Sequence, residues 1–346
     1  EVEIIYQLFD INEVMLAKLE KGHEDFDVVC PSEYIIDRML ANDMLLPIPR
    51  DFGNTPDYIS LVSPYVIDQF ARMDKEGKPA NDYAVGYMWG TTGILYNPEF
   101  VTDEEVDSWG IIWDDRFEGK ILMKDAYRDI FGPMLMYARY QDILDGKVTR
   151  EQLMNDSSDE AIATVENLLK AAKKNIAGWE VDFGKEMMTK KKAYMNVSWS
   201  GDAVWAIDEA AAIGMTLKYH VPREGSNVWF DGWVIPKYAV NTKAAAYFIN
   251  FMCMPENALR NMDEIGYVSV IASPEILEAK IDSSLNEYID LTYFFGEEAD
   301  SVPVNSIQYP DQSVIDRAAL MRDCGSRTKN MLEMWSRVKG DNLESW

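Results

Sequence analysis

Phe26-Asp-Val-Val-Cys30-Pro-Ser32-Glu-Tyr34 runs an apolar strand pattern directly into a helix start. The short run 26–30 has the length and β-branched content of a buried strand. Pro31 cannot donate a backbone hydrogen bond but suits a first helical turn, so Pro31-Ser32 opens a helix reaching about residue 40. The same alternation extends in both directions. Upstream, residues 2–8 read as a strand and residues 12–21 as an amphipathic helix with Val14, Leu16, Ala17 and Leu19 on its apolar positions, stopped by Gly22. Downstream, turn-forming residues cluster at 49–57 and 75–82. Strand patterns follow at 88–97, 119–123, 193–199, 215–221 and 229–236, with a long helix at 159–174 and helices dominating after Thr242. Strands separated by helices predict an α/β fold with largely parallel sheets.

The chain has 346 residues, more than one hydrophobic core usually supports, which predicts two domains. Apolar residues make up 47% and charged residues 27%, the profile of a globular protein, and no apolar run approaches the roughly 20 residues that span a bilayer. Lys and Arg total 33 against 59 Asp and Glu, for a formal net charge of -26. That balance argues against nucleic acid, whose binding depends on cationic side chains, and it concentrates small cations near the surface. Cys30, Cys253 and Cys324 have neither zinc-site nor disulfide spacing and read as free thiols. His23, in a charged loop, and His220, at a strand end, read as structural. The zinc-protease, nucleophile-elbow, dinucleotide and phosphate-loop motifs are all missing, so neither a cofactor nor a metal is expected. Residues 1–6 read as a strand already in progress, without an initiator Met, a signal segment or a lipobox, so an upstream piece is expected.

Four segments hold candidate binding residues. Trp199-Ser-Gly-Asp202 joins an apolar strand to an apolar helix, the strand end where open α/β sheets take ligands. Asp202 there either meets a ligand or complements the helix dipole, and Trp199 lines a site or the core. In Trp229-Phe-Asp231-Gly-Trp233, alternation places Trp229 and Asp231 on one face of a strand. A carboxylate beside a large aromatic suits a cation better than a dry core. Asp125-Ala-Tyr-Arg-Asp129 opens a helix, with Asp125 fitting an N-cap and Asp129 the first turn. Ser32 is a cap or a hydroxyl offered to a ligand, and Tyr34 lines a cleft or the core.

In their order these segments resemble the bacterial periplasmic spermidine/putrescine-binding proteins of polyamine ABC transporters. The likeness also takes in Tyr87-Met-Trp-Gly-Thr-Thr-Gly-Ile-Leu-Tyr-Asn97, Phe117-Glu-Gly-Lys120, Ile249-Asn-Phe251 and Ile265-Gly-Tyr267. The resemblance implies a two-lobed type II periplasmic-binding fold with a ligand cleft between lobes, one lobe of residues 1–94 and 232–275 and the other of 95–231 and 276–346. It implies no enzymatic activity, a polyamine ligand, an ABC-transporter permease as partner, a monomer, and a periplasmic location, with lipid anchoring as a variant. It assigns Ser32 and Tyr34 to one lobe of the cleft, and Trp199, Trp229 and Tyr267 to an aromatic box around the methylene chain. Asp231 grips one amine, Asp129 stands at the opposite end, and Asp202 matches a carboxylate typical of putrescine-type members. Ala126 and Met321 depart from the pattern, where an acid and a glutamine are expected. Another solute, a polyamine-sensing receptor subunit, or a hydrolase using paired carboxylates are the alternative readings.

Overall fold

The computed structural model describes residues 2–22 and 25–340; His23 lies outside them. The fold is α/β, and the chain divides into two compact units, Glu1–Trp89 with Trp229–Gln312 and Gly90–Val228 with Ser313–Trp346. The strands Ala84–Tyr96 and Ser226–Pro236 each contribute one end to either unit.

In the first unit, Leu45–Leu46 pairs antiparallel with Ile235 and Pro236, and Met88 and Trp89 pair antiparallel with Val268–Ser269. The helices Asn12–Glu20, Glu33–Ala41, Pro64–Ala71, Thr242–Met252 and Pro255–Ile265 belong to the same unit. Glu33–Ala41 buries Ile35, Ile36, Met39 and Leu40, as the run after Pro31 predicts. The core is aromatic: the Trp89 ring stacks on Phe230 at 6.0 Å and on Phe294 at 5.2 Å, and Ser63 Oγ donates to the Phe294 carbonyl. Phe294 belongs to the stretch 276–312, which falls in the first unit, whereas the sequence reading placed that stretch in the second lobe.

In the second unit, Thr92–Tyr96 runs antiparallel to Met195–Trp199 and to Lys218–His220. Ile121–Lys124 is parallel to Ile176–Glu180 and to the start of Met195–Trp199. Ser226–Val228 is parallel to Ala318–Leu320. Leu95, Leu122, Met188, Ala203, Ala206 and Leu217 form a buried cluster under the helix Ser200–Ala212. The sheets are therefore mixed, not largely parallel, because the 13-residue strand Ala84–Tyr96 meets its partners in opposite directions.

Other expectations shift locally. Residues 2–8 belong to no strand, and Val2, Ile4, Ile5, Tyr6 and Leu8 are exposed. An apolar run becomes a strand only where a neighbour takes its backbone hydrogen bonds, and no such neighbour lies beside it among the described residues. The stretch 26–30 makes a single bridge, Val29 to Val234. The three cysteines are free.

Gly93 marks the tightest strand contact. A Cβ there would lie 2.5 Å from the His220 carbonyl oxygen and 2.7 Å from the Tyr219 ring. Gly93→Ala is expected to lower unfolding free energy by about 1–3 kcal/mol, read by denaturant titration; an unchanged midpoint would mean that these strands separate freely.

Candidate functional site

In the first unit, Ser32 stands at the N-cap position of Glu33–Ala41 but makes no side-chain cap bond. Its hydroxyl donates to Asp231 Oδ1 at 2.7 Å, and Asn12 Nδ2 donates to Ser32 Oγ at 3.1 Å. Backbone bridging between Ser32 and Asp231 fixes this pair. The carboxylate is half-buried, and it works on its surroundings: burial, then the Asp231 charge, pushes the Cys30 thiol well above its ordinary value. Tyr87 is raised too, by burial first and then by Cys30, Tyr6 and Asp231.

Two residues before Asp231, the Trp229 ring meets Tyr267 edge-on at 5.4 Å. Trp229 Nε1 is buried and meets no acceptor among the described residues. Trp233, two residues after, packs against Tyr87 at 4.7 Å. Tyr34 is 7% exposed and its hydroxyl donates to Glu13 Oε1 at 2.9 Å, so it braces the helix pair from a buried position.

In the second unit, Asp129 sits in the first turn of the helix Tyr127–Ala138 and is 8% exposed. Asn227 Nδ2, Trp199 Nε1 and Thr92 Oγ1 all donate to its Oδ1, at 2.9, 3.1 and 3.3 Å. Oδ2 takes none of the three. Burial dominates and raises the Asp129 pKa above its ordinary 3.8, although the three hydrogen bonds and the Arg128 charge pull it down. The neutral donors and the Arg128 charge thus offset only part of the cost of burying this carboxylate.

Asp202 is different. The Lys124 ammonium lies 2.7 Å from Asp202 Oδ2 and 3.0 Å from Glu180 Oε1, and it sits 4.3 Å from the centre of the Trp199 ring. Asp202 is thus ion-paired inside the protein. Asp125, which fits an N-cap by sequence, instead accepts from Trp335 Nε1 at 2.7 Å and from Lys339 Nζ at 2.9 Å, and Ala126 takes the cap position. Sequence reasoning overlooked Asn12, Thr92, Asn227 and Lys124. Only Lys124 carried a local signal, being a charge at the end of the apolar strand Ile121–Lys124.

The structure therefore joins Ser32 with Asp231, Trp229 with Tyr267, and Asp129 with Trp199, each inside one unit. Among the described residues no group of three metal-ligating side chains occurs, and no helix is long and apolar enough to cross a membrane.

The chain is thus a two-unit α/β protein that presents carboxylates beside tryptophans in each unit. Residues 1–281 match the family model described as bacterial extracellular solute-binding protein, and the chain belongs to that family. It is 26% identical over 345 residues to the spermidine/putrescine-binding periplasmic protein of Escherichia coli K12, covering 98% of this chain and 84% of that one. It is also similar to a solved Listeria monocytogenes structure assigned to a spermidine/putrescine ABC transporter, with 27% identity, a TM-score of 0.78, and coverage of 98% and 91%. The spermidine/putrescine ABC transporter substrate-binding protein PotD from Streptococcus pneumoniae, solved with calcium and HEPES, gives 27% identity, a TM-score of 0.69, and coverage of 96% and 89%.

Asp129→Asn keeps an oxygen for all three donors and removes the buried charge. Below pH 3.8 the native carboxyl is neutral and no desolvation penalty exists; as pH rises through the elevated folded value, the native protein loses that advantage. Stability of the native chain should therefore fall relative to Asp129→Asn as pH climbs from acidic to neutral. Parallel denaturation curves at the two pH extremes check this, and a constant difference would show the carboxylate to be fully solvated.

Proposed function

We propose that this protein captures a polyamine such as putrescine or spermidine, in the periplasm, and hands it to the membrane permease of an ABC transporter. The carrying observation is Asp129: a buried carboxylate whose one oxygen is fixed by three neutral donors, alongside the Trp199 ring. Asp231 adds a half-buried carboxylate that accepts from the Ser32 hydroxyl on Oδ1, with Trp229 two residues away on the same strand. A polyamine is a methylene chain carrying ammonium groups. Carboxylates serve its charged ends, and tryptophan faces serve both the methylenes and the cations. The names of the relatives point to the same ligands.

Energetics support the reading. Micromolar affinity needs about 8 kcal/mol net. Charge-assisted hydrogen bonds supply roughly 1.5–3 kcal/mol each and cation–aromatic contacts about 0.5–2 kcal/mol each. The net charge of -26 adds long-range attraction for a dication or trication.

Calorimetric titration with putrescine and spermidine, with maltose as control, tests the proposal. We expect micromolar or tighter binding of one polyamine and no heat with maltose. Asp231→Asn preserves the acceptor for Ser32 and deletes the charge, so it should weaken binding by about tenfold or more without lowering the melting temperature. Trp229→Ala should also weaken it, with less dependence on salt. Folded, ligand-free protein that binds no polyamine would overturn the proposal, and undiminished affinity in Asp231→Asn would remove that carboxylate from it.

A further inference from the structure

The Lys124 side chain is a tethered butylammonium. It is 1% exposed, and its surroundings reproduce what an external amine would be offered: two carboxylates, the Val181 carbonyl and an aromatic face. Glu180 is fully buried and its second oxygen accepts from the Gly184 amide at 3.0 Å. Lys185 Nζ stands 3.9 Å from Asp202 Oδ1, while also pairing with Asp182 at 2.6 Å. Around Asp202, then, Lys124 and Lys185 supply two ammonium groups to three carboxylates, Asp202, Glu180 and Asp182, and Lys124 is the one in hydrogen-bond reach of Asp202.

We propose that Lys124 is a specificity-determining residue, its own ammonium filling an amine seat formed by Asp202, Glu180 and the face of Trp199, so that the second unit recognises a ligand ammonium through Asp129 alone. A tethered amine has almost no association entropy left to lose, so a free amine cannot displace it at ordinary concentrations. A second ligand ammonium near Trp199 would also meet the Lys124 charge across the ring. The consequence is selection by charge: this chain favours a diamine over a triamine. The selectivity part rests on the polyamine reading; the existence of the amine seat does not.

Two readouts separate these. The first is a melting-temperature shift in Lys124→Ala on adding n-butylammonium chloride, with sodium chloride and n-butanol as controls. The seat predicts stabilisation of several degrees by butylammonium only, and none in the native protein. If Lys124→Ala does not fold, Lys124→Ala with Glu180→Gln removes one of the stranded carboxylates, and the same shift is expected. Folded variant that gains nothing from butylammonium overturns the proposal. The second readout is the ratio of spermidine to putrescine dissociation constants in Lys124→Met. We expect it to move toward spermidine by about tenfold or more, whereas a purely structural lysine would weaken both ligands alike and leave the ratio unchanged. Native protein that binds no polyamine, combined with a positive butylammonium shift, would refute the polyamine reading while leaving the amine seat in place.

Discussion

A carboxylate withdrawn from water must be solvated by something else, and the choice of substitute decides what it can still do. Asp129 is solvated by the neutral donors of Asn227, Trp199 and Thr92. These bonds offset part of the cost of burial, which still raises its pKa. Asp231 leans on the Ser32 hydroxyl, itself held by Asn12. Asp202 is matched by a lysine, and its charge is spent inside the protein. Asp129 and Asp202 both come from first helical turns, yet the lysine partner of Asp202 leaves it less electrostatic work to do than Asp129.

The scaffold makes these environments possible by geometry that ordinary elements provide. In the second unit Trp199 is the last residue of one strand and the N-cap of the next helix, so its indole can reach Asp129 with its N–H while its face meets Lys124. In the first unit the Ser32–Asp231 bridge joins a helix start to a strand that alternates Trp229, Asp231 and Trp233. Trp89, Phe230 and Phe294 form the packed layer beneath that strand. Rigid elements with locked rotamers hold a binding group in place at low entropic cost on association.

Much of this was legible in the residue order. The strand–helix alternation gave the fold class, and the segments around Trp199 and Asp231 gave the aromatic–acid groups, because strand period and helix starts are local properties. What escaped was long-range. Residues 2–8 have a strand's composition but pair with no strand among the described residues. The antiparallel partners of Ala84–Tyr96 come from residues about 100 to 180 positions away, so the mixed sheet left no local trace. Asp125 looked like a cap because nothing nearby announces Trp335 and Lys339. Asp202 looked available for the same reason, since Lys124 reaches it from another strand.

If a polyamine ammonium binds at Asp129, this buried carboxylate with its raised pKa must ionise to receive it. A ligand cation must then lower that pKa and expel a proton whenever the free site is partly protonated. Titrating putrescine at mildly acidic pH, in two buffers of different ionisation enthalpy, measures the protons exchanged on binding. Net proton release that disappears in Asp129→Asn is expected. Binding with no proton release, or release that persists undiminished in Asp129→Asn, would contradict it.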